Sequence, residues 1–250
     1  MTMIIVDNKI TPEAKSKLSA YGDLMELTTE GITYPAISGH PDIFFCHGPG
    51  CLIVAPNLPK HYIDSLRSHG IGFISGELLV GKEYPASAHY NAVATDIMLI
   101  HNFRTTDFMI TRTLEDLHLI HVDQGYTRCN LLPLKDNHFI TSDEGILKVL
   151  LGRNLPGKNS EGCHPTGNLQ QGCHPYLVSP HSILLEGFPN GFFGGCCGVW
   201  NNIVFINGSL KHFQDGNKVR DILEILDYQI VELYDGPLVD VGSILFVDCR

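Results

Sequence analysis

Met3-Ile4-Ile5-Val6-Asp7, followed by Thr11-Pro12-Glu13 and then by Asp23-Leu24-Met25-Glu26-Leu27-Thr28, is the stretch whose reading decides the fold. An apolar strand leads into a helix that Thr11 caps and Pro12 opens, and a second strand follows. The unit closes on Gly39-His40-Pro41-Asp42-Ile43-Phe44-Phe45, which reads as a third strand. The same order of strand, short helix, strand, loop and strand then returns along the chain. A second copy starts at Cys51-Leu52-Ile53-Val54-Ala55, has a helix after Pro59 that stops at Gly70, a strand over 72–75, and closes over 90–94. A third reads as a strand at Asp107-Phe108-Met109-Ile110, a second strand over 117–122 and a closing strand over 126–132. A fourth runs from 138–143, where Ser142 or Asp143 caps a helix over 145–150, through 182–186 to 194–199. The fifth has a strand over 203–206, a helix carrying Val219, Ile222, Leu223 and Leu226, a strand over 229–233 and a closing strand over 240–247.

No unit of this size buries both faces of its own sheet, so five copies must stack on one another. Gly48-Pro49-Gly50, His101-Asn102, Asp136-Asn137 and Asn201-Asn202 separate each closing strand from the next opening one, as hairpin turns do. The last closing strand and the first opening strand have no such neighbour. Pairing them closes a pseudo-fivefold ring and leaves no orphan sheet edge. The expectation is a single α/β domain over residues 1–250, with the N-terminal strand completing the ring. A loop insertion at about 152–181, rich in Gly, Asn and Gln and without periodicity, interrupts the fourth unit.

Composition narrows the function classes. The chain has 250 residues, 44% of them hydrophobic, which is enough for a sizeable core. Its 27 acidic residues outnumber 17 basic ones, and no Lys/Arg cluster stands out. That balance argues against a nucleic-acid partner and suits a cationic small molecule. No apolar run matches a bilayer, and no basic stretch leads a secretory segment, so the expectation is a cytoplasmic protein away from membranes. The eight cysteines then read as reduced thiols. No cofactor is expected.

Five β-α-β units in a ring resemble the pentein, or guanidino-group-modifying-enzyme, fold, an α/β propeller. Arginine deiminases, dimethylarginine hydrolases, amidinotransferases and the eukaryotic ribosomal anti-association factor share it. Gln124-Gly125-Tyr126, Ile140-Thr141-Ser142-Asp143-Glu144-Gly145-Ile146, Gly191-Phe192-Phe193-Gly194-Gly195 and Asp240-Val241-Gly242-Ser243-Ile244 are similar to signatures of a bacterial family of unknown activity assigned that fold. The resemblance implies a His-x-Asp on one closing strand and a nucleophilic Cys on the last. Gly39-His40-Pro41-Asp42 is similar to the first element, but Phe246 stands about where the Cys would fall, with Cys249 three residues beyond.

A reading rotated around the ring restores the set. Two units after His40 stands Cys129, and one unit before it, across the closure, stands Asp240. Cys129, His40, Asp42 and Asp240 are therefore the candidate catalytic residues. A thiolate needs an imidazole to exchange protons and carboxylates to hold a cationic substrate. The implied chemistry is attack on a guanidine-like carbon, as hydrolase or transferase. Two other classes stay open: a non-catalytic binding module like the anti-association factor, and a small-molecule binding protein. A doubled Gly-Cys-His-Pro adds a weak metal alternative at Cys163, His164, Cys173 and His174, though its spacing matches no common zinc site.

Overall fold

The structure, a computed structural model, describes residues 2–152, 154–155 and 171–248. Five three-stranded sheets within it share one pattern. In each, a central strand pairs antiparallel with the closing strand of one unit and parallel with the strand that follows the helical or loop crossover of the next. The first sheet centres on Thr2–Asp7, between Leu245–Asp248 and Asp23–Leu27. In the second, Cys51–Val54 lies between Phe45–Gly48 and Ile74–Ser75, and in the third Met98–His101 lies between Val93–Ala94 and His118–His121. The fourth centres on His138–Thr141, between Leu131–Pro133 and His174–Leu177, and the fifth on Ile203–Ile206, between Cys197–Trp200 and Gln229–Glu232.

The two ends of the described chain meet in the first sheet, where Thr2 pairs with Asp248 and Ile5 with Leu245. The five antiparallel closing strands share one narrow cavity of about 120 Å³, to which they contribute Phe45, Val93, Pro133, Val199 and Phe246. Core packing follows the units. Ile4, Val6 and Leu18 pack with Phe205 and Phe246, joining the first unit to the fifth, while Ile53 and Leu66 pack with Leu99, joining the second to the third. The helix caps are those the sequence names: Thr11 Oγ1 accepts from Ala14 N at 3.1 Å, and Asp143 Oδ1 from Ile146 N at 2.8 Å.

Three expectations need correction. Residues 107–110 are not a strand. The strand is Met98–His101, and Asp107 caps the helix Phe108–Thr113 by accepting from Met109 N at 2.8 Å. The hairpin turn therefore falls at 95–97 and not at His101-Asn102. In the fourth unit the parallel partner is His174–Leu177, inside the expected insertion, while Ile183–Leu184 pairs with Leu238–Val239 in a separate two-stranded sheet. Finally, Pro41–Phe44 and Thr127–Asn130 are helical turns that precede their closing strands.

The metal alternative loses its geometry where it can be followed. Cys173 is buried against Met98, Sγ to Sδ 3.8 Å, whereas His174 is exposed and stacks on His138 at 4.6 Å between ring centroids. Neighbours on extended chain face opposite ways, so these two do not aim at one ion. Cys163 and His164 lie outside the described residues, as does Cys249. Among the described residues, no helix is long and apolar enough to cross a membrane.

Candidate functional site

Each candidate residue sits at the start of a closing segment, which is why residues far apart in sequence meet. His40 caps the turn Pro41–Phe44, where Pro41 supplies the fixed φ that a first helical position tolerates. Asp42 lies in that turn. Cys129 lies in the corresponding turn Thr127–Asn130, and Asp240 follows the strand Leu238–Val239. His40 stays extended as the residue before the turn and Asp42 sits within it, and both side chains reach the same buried cluster.

The four residues meet. Ligating atoms of His40, Cys129 and Asp240 lie within 4.8 Å of one another, all buried. Cys129 Sγ donates to Asp42 Oδ2 at 3.0 Å, and His40 Nδ1 is 4.0 Å from Asp240 Oδ1. On its other edge, His40 Nε2 is 3.9 Å from Asp7 Oδ2. Phe246, at the place where the resemblance implies a nucleophile, is instead a packing residue between Trp200 and Phe205, with centroids at 5.8 and 4.8 Å.

Residues outside the sequence-derived set complete the cluster. Asn91 Nδ2 donates to Cys129 Sγ at 3.3 Å, while its Oδ1 accepts from Arg128 N and Cys129 N at 2.7 and 3.1 Å. Ser243 Oγ donates to Asp42 Oδ2 at 2.8 Å. Asp240 is held by Phe192 N and Gly242 N, at 2.9 and 3.0 Å. Arg128 donates to the carbonyls of Gly194 and Cys197, placing its charge near Asp42. Asn91 had a signal, since it occupies in the second unit the place of His40 in the first and Cys129 in the third. Ser243 and Arg128 had none beyond adjacency to the motifs.

Glycines make room for this. A Cβ on Gly195 would land on the Asp240 carboxylate, and one on Gly242 would land on His40, at a φ of +66° that disfavours side chains anyway. A Cβ on Gly39 would come within 2.6 Å of the Asp7 carboxyl.

Burial governs the electrostatics. It pushes Asp240 up to about 7, with the neighbouring Asp42 charge adding to the rise. It raises Asp42 and Asp7 as well, and lowers the His40 imidazole to about 3. The Cys129 thiol lies well above its ordinary range, first through burial and then through Asp42 and Asp240. The resting site therefore holds a neutral imidazole and a protonated thiol among carboxyls beside the Arg128 guanidinium, which bonds backbone carbonyls rather than them. Its buried His40 Nδ1, Asp42 Oδ1 and Asp7 Oδ2 have no hydrogen-bond partner. Such a site gains from any bound cation. His40, Cys129 and Asp240 could also converge on an ion. A tetrahedral ion would have to pull Cys129 from Asp42 and Asp240 from two backbone donors.

The chain matches the model of a family of unknown function (DUF6873) over residues 5–245. It belongs to that family. Among curated proteins, none matches the chain in sequence. Among solved structures, it is similar to SxtG, an amidinotransferase from Microseira wollei in the saxitoxin biosynthetic pathway. The TM-score is 0.53 at 11% sequence identity, covering 92% of this chain and 87% of that one. At this identity the likeness speaks for the fold alone, and it supports a pentein-like fold for the DUF6873 chain.

Proposed function

We propose that this DUF6873 chain is a five-unit α/β propeller of the pentein kind and a cysteine-dependent enzyme acting on guanidine-like small molecules, as hydrolase or transferase. One observation carries the reading: a thiol, an imidazole and two carboxylates from three separate segments meet in one buried cluster, with His40, Cys129 and Asp240 within 4.8 Å of one another. A guanidinium placed between Asp42 and Asp240 supplies N–H donors and charge in direct contact, which Arg128, bonded to the carbonyls of Gly194 and Cys197, does not. It also removes the two charges that, after burial, hold the Cys129 thiol up, so substrate binding itself favours the thiolate. Sγ then attacks the guanidino carbon, forming a C–S bond as the C–N bond to the departing amine breaks. The proton that leaves Sγ passes to His40, whose ring lies within 4.8 Å of it, and from the imidazolium to the departing amine. Water or a second amine releases the amidino group from sulfur.

The test is turnover of a panel of guanidino compounds by wild type, Cys129→Ala and Cys129→Ser. Loss of turnover to background in Cys129→Ala is the expected result, and unchanged turnover sinks the assignment. A second reading, binding without reaction, draws support from the depth of Cys129, which is only 4% exposed. It would show as guanidine protection of Cys129 from alkylation with no turnover in wild type.

A further inference from the structure

Beside the cluster lies a cavity of about 220 Å³ that neither Cys129 nor Asp42 lines. Asp7, His40, Asp240 and Asn207 contribute to it, with Lys9, Thr11 and Glu186 also lining it. Lys9 and Glu186 are exposed, which sets them at its mouth. Two of the interior groups are unpaired acceptors. Asp7 is 1% exposed; its Oδ1 accepts from Lys9 N at 2.8 Å, but its Oδ2 has no partner. Asn207 is also 1% exposed, and its Oδ1 has none. The orientation of that amide is fixed, because Nδ2 donates to Val239 O at 3.0 Å and a flipped amide would set two oxygens against each other. The Lys9 charge reaches Asp7 and His40, but its ammonium hydrogen-bonds Pro35 O at 2.6 Å and Ala36 O at 3.5 Å and neither of the open oxygens.

We propose that this cavity is a binding site for a small ligand bearing a primary ammonium group, held by Asp7 Oδ2 and Asn207 Oδ1. Two buried acceptors left open are costly, and a ligand with several N–H donors and a positive charge is the class that relieves both at once. Glu186 adds negative charge at the mouth. The volume exceeds what a bare ammonium needs and takes a short alkyl chain. The site is a neighbour of the reactive cluster and touches it only through His40 and Asp240. The inference does not depend on Cys129 reacting with a guanidine.

Titration calorimetry on Cys129→Ser protein tests it with turnover removed. The probes are n-butylammonium, the neutral isostere 1-butanol and tetramethylammonium, which has no N–H. Binding of n-butylammonium alone is expected. Asn207→Leu and Asp7→Asn each weaken it about tenfold or more, the scale of one lost charge-assisted hydrogen bond. If the core variants unfold, Glu186→Gln at the exposed mouth still lowers affinity several-fold. No binding of n-butylammonium, equal binding of 1-butanol, or affinity indifferent to Asn207→Leu and Glu186→Gln overturns the proposal. Amine binding with no guanidine turnover would sink the proposed reaction and leave this site standing, and the reverse result would do the opposite.

Discussion

Asp42 sets the state of Cys129. Its Oδ2 accepts the thiol proton at 3.0 Å, and after burial its charge is the first-ranked reason that the thiol stays protonated. Asn91 works against it by donating to sulfur. Asp42→Asn should therefore move the pH onset of Cys129 alkylation by iodoacetamide downward, read by mass spectrometry across a pH series. An unmoved onset would show that Asp42 does not control the thiol. Asn91→Ala should move the onset upward and also destabilise the protein by about 2–4 kcal/mol, because it strands the buried backbone N–H of Cys129 and one bond to Arg128 N. Denaturant unfolding measures the second effect.

At the scale of elements, the turn before a closing strand is the device that builds the site, helical at Pro41–Phe44 and Thr127–Asn130 and irregular at 240–244. The crossing of Gly242 over His40 is one place where that device tolerates no side chain. Gly242→Ala should cost about 2 kcal/mol or more through overpacking and a positive φ, while Asp143→Ala, which removes a helix cap and a part-buried bond from Gln124 Nε2, should cost about 1 kcal/mol. Equal losses in thermal unfolding would contradict this ranking. The strand-helix-strand order was legible because apolar strands, Thr11, Pro12, Asp143 and the spacing of Val219, Ile222 and Leu223 all follow local rules. The errors came where local rules compete. Residues 107–110 are apolar enough for a strand, but Asp107 caps a helix there and also accepts from Glu77 N and Leu78 N, partners distant in sequence. The fourth sheet takes its parallel strand from His174–Leu177, whose weakly apolar sequence hides it from any periodicity search.

At the scale of the whole molecule, burying several acids with one imidazole couples stability to pH. Asp240, held up to about 7 mainly by burial, keeps a proton in the folded state that the unfolded chain, with its ordinary value of 3.8, has released. Its contribution to stability is full below about 4 and is lost as pH rises to about 7. His40, lowered to about 3 by burial, acts with the opposite sign. Between about 3 and its ordinary 6.5 the unfolded chain gains a proton that the folded protein refuses, so stability rises with pH there. Relative to wild type, His40→Gln should therefore lose more stability from pH 4 to 7, and Asp240→Asn should lose less or gain. Chemical denaturation at a series of pH values checks both signs, and parallel profiles for the three proteins would refute the coupling. The repeat and the pairing of the Thr2–Asp7 strand with the Leu245–Asp248 strand were determined by the sequence itself, because strand pattern and turn signals are local or periodic properties, whereas His40, Asp42, Cys129 and Asp240 were picked out by laying the pattern that the family resemblance implies over equivalent positions of the repeat. Only the tertiary structure decided that Asn91, Ser243 and Arg128 stand around the thiol, and that a neutral imidazole and raised carboxyls await a cation. Those facts depend on which buried atoms from separate units come within reach of one another, and burial is a property of the assembled molecule that no single segment encodes.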